Sequence, residues 1–163
     1  MNITIYTDGS ALGNPGNGGY GIVLMAGKYY KELSQGYRLT TNNRMELLAV
    51  IVALEALKGE GHNVRIYSDS KYVIDSIEKR WVFGWVKKGF KGKKNADLWR
   101  RFLKIYPKHN VSFTWVKGHA GNKYNEICDQ LAVKAAYDTK NHLIDEWFEK
   151  QQEEGGGENN ALF

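Results

Sequence analysis

Two short phrases of the chain hold the side chains best suited to chemistry. Ile5-Tyr6-Thr7-Asp8-Gly9-Ser10 is an apolar run that stops on a carboxylate followed by glycine, and Ile66-Tyr67-Ser68-Asp69-Ser70-Lys71 repeats the order apolar, tyrosine, hydroxyl, aspartate, small residue. Both end extended, β-branched stretches, so each aspartate is expected at the tip of a strand. Two more acids stand where a cleft could form: Glu46 in a nearly all-apolar helical run, and Asp129 at the edge of a helical stripe of Ile127, Cys128, Leu131 and Ala135. Carboxylates a few ångströms apart repel and raise one another's pKa unless a cation sits among them. Oxygen-only ligands select a hard ion, Mg²⁺ or Mn²⁺. Two such ions, about 4 Å apart, can activate a water and stabilise a leaving 3′ oxygen in phosphodiester cleavage.

Every one of these residues has an ordinary alternative. An Asp after a strand is commonly a turn or cap residue, and Glu46 lies three residues after Asn43, where a capping box would put a glutamate. The pairing of two like strand ends is what separates Asp8 and Asp69 from that background. His119, in Val116-Lys117-Gly118-His119-Ala120-Gly121, is taken alone more often an exposed loop histidine than a working one.

The elements that must position these groups follow from periodicity. Ile3, Ile5 and Thr7 alternate with Thr4, Tyr6 and Asp8 in a first strand, and the glycine-rich stretch from Gly9 to Gly19 is expected to turn at once. Tyr20 to Ala26 and Tyr29 to Leu39, hinged at Gly27-Lys28, complete an antiparallel meander. Arg44 to Leu57 reads as a helix buried on most sides with Asn43 as its N-cap, and Val64 to Ser68 as the second Asp-tipped strand. Connection through a helix makes this strand parallel to the first, which brings both aspartates to the carboxyl edge of one sheet. Helices are predicted over Lys71 to Glu78, over Asp97 to Ile105 and onward from Asn122, and a strand over Val111 to Trp115. A last helical piece packs through Leu143, Ile144, Trp147 and Phe148, Gly155-Gly156-Gly157 stops it, and Glu158 to Phe163 is expected to be disordered.

At 163 residues, 42% hydrophobic and 25% charged, the chain fits one α/β domain. Its single cysteine, Cys128, excludes an internal disulfide and a cysteine-rich zinc site, as expected of a cytoplasmic protein. The start lacks a leader pattern, and no apolar run is long enough to span a bilayer. Residues 138 to 163 carry seven acids against two lysines, which leaves +10 on residues 1 to 137 out of a total of +5. A body that basic favours a polyanionic partner, nucleic acid before membrane. Between Lys79 and Lys94 lie seven basic residues and no acid, interleaved with Trp81, Phe83, Trp85 and Phe90. Cations for phosphates beside aromatic rings suit a nucleic-acid groove; the alternative is an amphipathic helix with its aromatics turned inward.

Taken together, Thr7-Asp8-Gly9-Ser10 with Gly13-Asn14-Pro15-Gly16, Thr40-Thr41-Asn42-Asn43-Arg44-Met45-Glu46-Leu47, Ser68-Asp69-Ser70, and the His119 loop with Asn125-Glu126 and Cys128-Asp129 resemble bacterial ribonuclease HI over residues 1 to 137. The resemblance implies a five-stranded mixed sheet of order 3-2-1-4-5 with helices on both faces. It implies endonucleolytic hydrolysis of the RNA strand of an RNA/DNA hybrid with two Mg²⁺ ions, leaving 5′-phosphate and 3′-hydroxyl ends. By the same resemblance Asp8, Glu46, Asp69 and Asp129 are the metal ligands, and His119 assists proton transfer or product release. Asn14, Asn42 and Asn43 lie along the RNA strand, Glu46 and nearby backbone groups read the 2′-hydroxyls that distinguish RNA from DNA, and the backbone of Gly9 and Ser10 lets that strand come close. Thr41 holds a DNA phosphate, and residues 79 to 94 form a basic protrusion with Trp81, Trp85, Lys87 and Lys88 facing the DNA. Lys71 replaces a glutamine common in bacterial members, and the protrusion is shortened after Phe90. The acidic extension from Asp138 has no counterpart in the family's motifs; its Ala161-Leu162-Phe163 end could dock a protein partner or the body, and the chain is expected to be a monomer. Two competing readings are a non-catalytic hybrid-binding module and a metal nuclease of the same fold acting on DNA.

Overall fold

The computed structural model describes residues 1–117 and 121–160, with side chains described through residue 155. Three antiparallel strands come first, β1 (Asn2–Ala11), β2 (Gly16–Ala26) and β3 (Tyr29–Thr40), followed by α1 (Asn42–Glu55) and β4 (Asn63–Ser68). Then come α2 (Lys71–Glu78), α3 (Trp81–Lys87), α4 (Ala96–Ile105), β5 (Asn110–Trp115), α5 (Lys123–Tyr137) and α6 (Glu146–Asn160). The sheet runs β3-β2-β1-β4-β5, with β4 parallel to both β1 and β5. Among the described residues no helix is long and apolar enough to cross a membrane.

One face of the sheet supplies Ile3, Ile5, Tyr20, Ile22, Val64 and Ile66 to the core. α1 lies on that face, buried from Arg44 to Ile51 and again at Ala53 and Leu54, because α4 covers it with Leu98, Trp99 and Phe102. A helix enclosed on both sides has no polar face to show, which explains its nearly continuous apolar sequence.

α5 covers the other face, and glycines let it come close. A Cβ at Gly19, Gly21 or Gly36 would collide with backbone atoms of α5 at Ala132, Cys128 and Ala135 respectively. The glycine-rich stretch is therefore only in part a turn. β1 continues through Asp8 to Ala11 and β2 already begins at Gly16, so the connection is four residues long.

Other differences from expectation are local. Thr41, not Asn43, caps α1, its Oγ1 accepting from the Arg44 N–H at 3.2 Å. The buried line of α5 is Asn125, Cys128, Ala132 and Ala136, rotated from the predicted stripe toward the glycines. Leu143 and Ile144 precede α6 rather than belonging to it and stay about half exposed, Leu143 bridging to Tyr37 of β3. α6 passes through the glycine triplet instead of stopping there; its anchoring contacts lie at its first turn, where the Asp145 carboxylate accepts from the Phe148 N–H and Glu149 pairs with Arg38. Phe163, with Ala161 and Leu162, lies outside the described residues.

Candidate active site

The carboxylates meet at the edge where β4 ends. Parallel pairing of β1 with β4 runs only as far as Tyr6 with Tyr67, while β1 goes on pairing with β2, Asp8 opposite Gly21. Asp8 is thus not at a strand tip but beyond the last residue that β4 covers, and the vacated flank is where the site forms. Asp69 follows the last residue of β4 and is fixed by its neighbours. The Ser70 N–H donates to Ser68 Oγ at 3.1 Å, Ser70 Oγ caps α2 by accepting from the Val73 N–H, and Trp115 Nε1 donates to the Asp69 carbonyl at 3.2 Å.

Glu46 arrives from the first turns of α1. With Thr41 as N-cap, the third helical residue is Arg44, so Glu46 is too far along to close a capping box. Its Oε2 is buried with no hydrogen-bond partner. The approach of α1 is set by Gly9, where a Cβ would strike the backbone of Met45 and Glu46. That glycine lets helix and strand touch, which places the Glu46 and Asp8 carboxylates side by side.

One oxygen each from Asp8, Glu46 and Asp69 can be chosen so that all lie within 4.8 Å of one another. Asp8 is 4% exposed and Glu46 9%, so both are deprived of water. Burial, then the Asp69 charge, push the Asp8 carboxyl up to about 8, against which a side-chain hydrogen bond with Glu46 and, after it, the Gly9 N–H donating to Oδ1 at 2.9 Å work only in part. Burial and the Asp8 and Asp69 charges likewise hold Glu46 well above the usual carboxylate range. Asp129, brought to the rim by α5, lines the same depression of about 340 Å³ and adds to the charge felt by Asp8. It is not part of the tight group of three. Its neighbour Cys128 donates from Sγ to the Tyr6 carbonyl at 3.3 Å, which ties this turn of α5 to β1.

A buried acceptor without a donor, among acids that cannot all ionise together, is what a hard divalent cation would satisfy. The all-oxygen donor set fits Mg²⁺ or Mn²⁺ and not a thiolate or imidazole metal. His119 lies outside the described residues.

The remaining expected residues divide. Asn42 is turned back on the chain, its Oδ1 accepting from the Ala11 N–H at 2.6 Å, and its own N–H donates to Asn14 Oδ1 at 3.2 Å. Ser10 sits within β1 opposite Gly19. Asn14, Thr41 and Asn43 line a second cleft, while Lys71 borders the acids with its ammonium 4.4 Å from the centre of the Trp115 ring. In the basic segment Lys87 and Lys88 are exposed and Trp81 is 47% exposed, but Phe90 is buried and Trp85 packs edge-on against Trp99 under Lys93. The segment turns its cations and Trp81 outward and its other rings inward, so Trp85, expected to face a nucleic acid, packs into the protein instead.

Two residues carry roles that the sequence did not assign to them. Arg44 is 3% exposed and holds Asp145 through Nε and Nη2 at 2.6 and 2.8 Å and Asp97 through Nη1 and Nη2 at 2.9 and 2.7 Å. An arginine within an apolar helix must find carboxylates, which is a signal visible in the sequence, although its partners are not. Trp115, the support of Asp69 and Lys71, had no such signal.

A parallel β1-β4 pair with acids at its carboxyl edge, an antiparallel β1-β2-β3 meander beside it and helices on both faces define a ribonuclease H-like α/β protein. The sequence model of the RNase H family matches residues 1–137. The ribonuclease H of Desulforamulus reducens is 58% identical over 139 residues, 82% of this chain and 87% of that protein. Ribonuclease HI of Synechocystis is 48% identical over 154 residues, 91% and 95% of the two chains. Among solved structures, LC9-RNase H1 superposes with a TM-score of 0.75 at 35% identity, covering 83% of this chain and 72% of that one. LC11-RNase H1 in complex with an RNA/DNA hybrid gives 0.56 at 27% identity, covering 82% and 96%. The chain belongs to the ribonuclease H family, whose members are endonucleolytic hydrolases.

Proposed function

We propose that the protein, acting as a monomer, hydrolyses the RNA strand of RNA/DNA hybrids to leave 5′-phosphate and 3′-hydroxyl ends. The observation that carries this is the group of Asp8, Glu46 and Asp69, with the Glu46 Oε2 buried and unpartnered, beside a cleft lined by Asn14, Thr41 and Asn43. Asp8, Glu46, Asp69 and Asp129 would hold two Mg²⁺ ions, for which Mn²⁺ can stand in. When bound, the ions supply Lewis acidity at the scissile phosphate and cancel the repulsion among the acids.

The chain's own groups do the rest. Glu46 and Asp8 are kept apart from water, so their affinity for a cation is not diluted by hydration. Trp115 and Ser70 hold Asp69 from behind, so its carboxylate is aimed by backbone it does not control. Lys71 offers a cation at the border of the acids for a backbone phosphate, and Lys87 and Lys88 extend the positive surface along the DNA strand. Asn14, Asn43 and Thr41 present amide and hydroxyl groups to the strands, and discrimination of RNA rests on hydrogen bonds to 2′-hydroxyls near Gly9, Ser10 and Asn42. His119 is assigned to proton transfer or product release by its place in the family motif.

The test is cleavage of an end-labelled RNA/DNA hybrid with Mg²⁺, run beside duplex DNA and with Asp8→Asn in parallel. The reading requires hybrid cleavage by the wild type only, with new 5′ ends that a kinase labels only after phosphatase treatment and new 3′ ends that a polymerase can extend. Binding without turnover would make the protein a hybrid-binding module, and cleavage of duplex DNA would make it a DNA nuclease.

A further inference from the structure

The cleft beside the acids has a wall built by the acidic extension. A cavity of about 320 Å³ is lined by Asn14, Thr41, Asn43 and Lys94 together with Phe148, Gln151 and Gln152 of α6. Among the described residues its lining offers amide, hydroxyl and ammonium donors and no carboxylate. That absence is informative, because residues 138 to 163 carry seven acids.

The helix sorts its charges by face. Phe148, Gln151 and Gln152 are spaced i, i+3 and i+4 and share the face toward the cleft. Glu149 and Glu153, also four apart, turn toward Arg38, whose Nε and Nη2 donate to the Glu149 carboxylate at 2.9 and 2.8 Å, while Glu153 acts on the same guanidinium. The start of the helix is held by Asp145, which is 8% exposed and clamped by Arg44 and by Thr40 Oγ1 at 2.8 Å. α6 is therefore docked by its acids and presents neutral side chains to a space whose other walls attract an anion.

We propose that α6 forms a second wall of the nucleic-acid groove, on which the side-chain amides of Gln151 and Gln152 donate hydrogen bonds to a backbone phosphate of the DNA strand that Thr41 holds, beside Lys94. The proposal rests on the hybrid substrate proposed above. Amide donors to phosphate fix position without reading sequence, and, being neutral, they release no counterions. Gln151 and Gln152 thus add affinity that salt does not weaken, whereas Lys94 adds affinity that salt does weaken.

The experiment is titration of a fluorescent RNA/DNA hybrid into full-length protein carrying Asp8→Asn to block cleavage, at several salt concentrations. Adding Gln151→Ala and Gln152→Ala should weaken binding about tenfold, the worth of two neutral hydrogen bonds, with an unchanged salt slope. Lys94→Ala should instead lower the slope by about 1. Both glutamines are exposed, so the fold is not at stake; Gln152→Glu alone, which sets a charge against the phosphate, should weaken binding in the same direction. Unchanged affinity in the double variant overturns the contact, and tighter binding overturns it by showing that α6 obstructs the groove. A parent that binds no hybrid overturns the substrate reading, and this one with it.

Discussion

Asp8 shows most directly how the site trades stability for chemistry. Its carboxyl is pushed up to about 8 by burial and by Asp69, against about 3.9 for an unfolded aspartate. Between those values the folded chain holds a proton that the unfolded chain has lost, so without metal the fold weakens as pH rises from about 4 to 8. Melting midpoints in chelator should fall across that window and recover on adding Mg²⁺. Asp8→Asn should flatten the curve and stabilise the metal-free protein at pH 8 by more than about 1.4 kcal/mol, the worth of one pKa unit. The same variant should cut hybrid cleavage by at least about 10²- to 10³-fold. A metal-free midpoint lower than that of the wild type would mean that the acids are not crowded as described.

At the scale of elements, placement depends on close approach and on one buried clamp. α5 reaches the sheet only because Gly19, Gly21 and Gly36 lack side chains, and Asp129 rides on that helix next to Cys128. Gly21→Ala should cost about 1 to 3 kcal/mol in urea unfolding and lower activity beyond the loss of folded protein, because α5 must lift and carry Asp129 away from Asp8. Arg44 joins the start of α1 to α4 through Asp97 and to the lead-in of α6 through Asp145. Asp145→Ala removes one carboxylate from a guanidinium that is 3% exposed and should cost about 3 kcal/mol. Limited proteolysis should then cut within residues 138 to 163 first, which a clamp without consequence for α6 would not produce. How much of this could be read beforehand differs by feature. Glu46 in an apolar helix invited both a cap and a ligand reading, and only the N-cap at Thr41 separates them. The glycines read as a loop, since nothing local distinguishes a turn glycine from one that admits a helix lying far along the chain.

For the whole molecule the governing feature is charge. Residues 1 to 137 carry +10 and residues 138 to 163 carry −5, yet among the described residues none of the extension lines the depression that holds the acids. Asp145 and Glu149 are consumed by Arg44 and Arg38, so part of the negative charge is used in docking. The exposed lysines of the protrusion remain available for phosphates. Lys87→Ala with Lys88→Ala should weaken hybrid binding and reduce the salt slope by roughly 1 to 2, measured by anisotropy in the cleavage-deficient background. A slope equal to that of the parent would remove the protrusion from the groove.

The sequence by itself determined most strand and helix periods and singled out Asp8, Glu46, Asp69 and Asp129 as candidates, because these are properties of local spacing and residue type; the sheet order was implied only by the family resemblance. It also raised the expectation of a polyanionic partner, since charge is a sum that needs no coordinates. The tertiary structure decided what depends on non-local register. Pairing of β1 with β4 stops at Tyr6 while β1 itself continues, which places Asp8 beside Asp69 on an open flank. Burial leaves the Glu46 Oε2 without a partner, Arg44 finds Asp97 and Asp145 over 50 and 100 residues away, and among its described side chains α6 turns glutamines and not glutamates to the cleft. Such facts arise from the distance between elements packed together, and no periodicity along the chain encodes that distance.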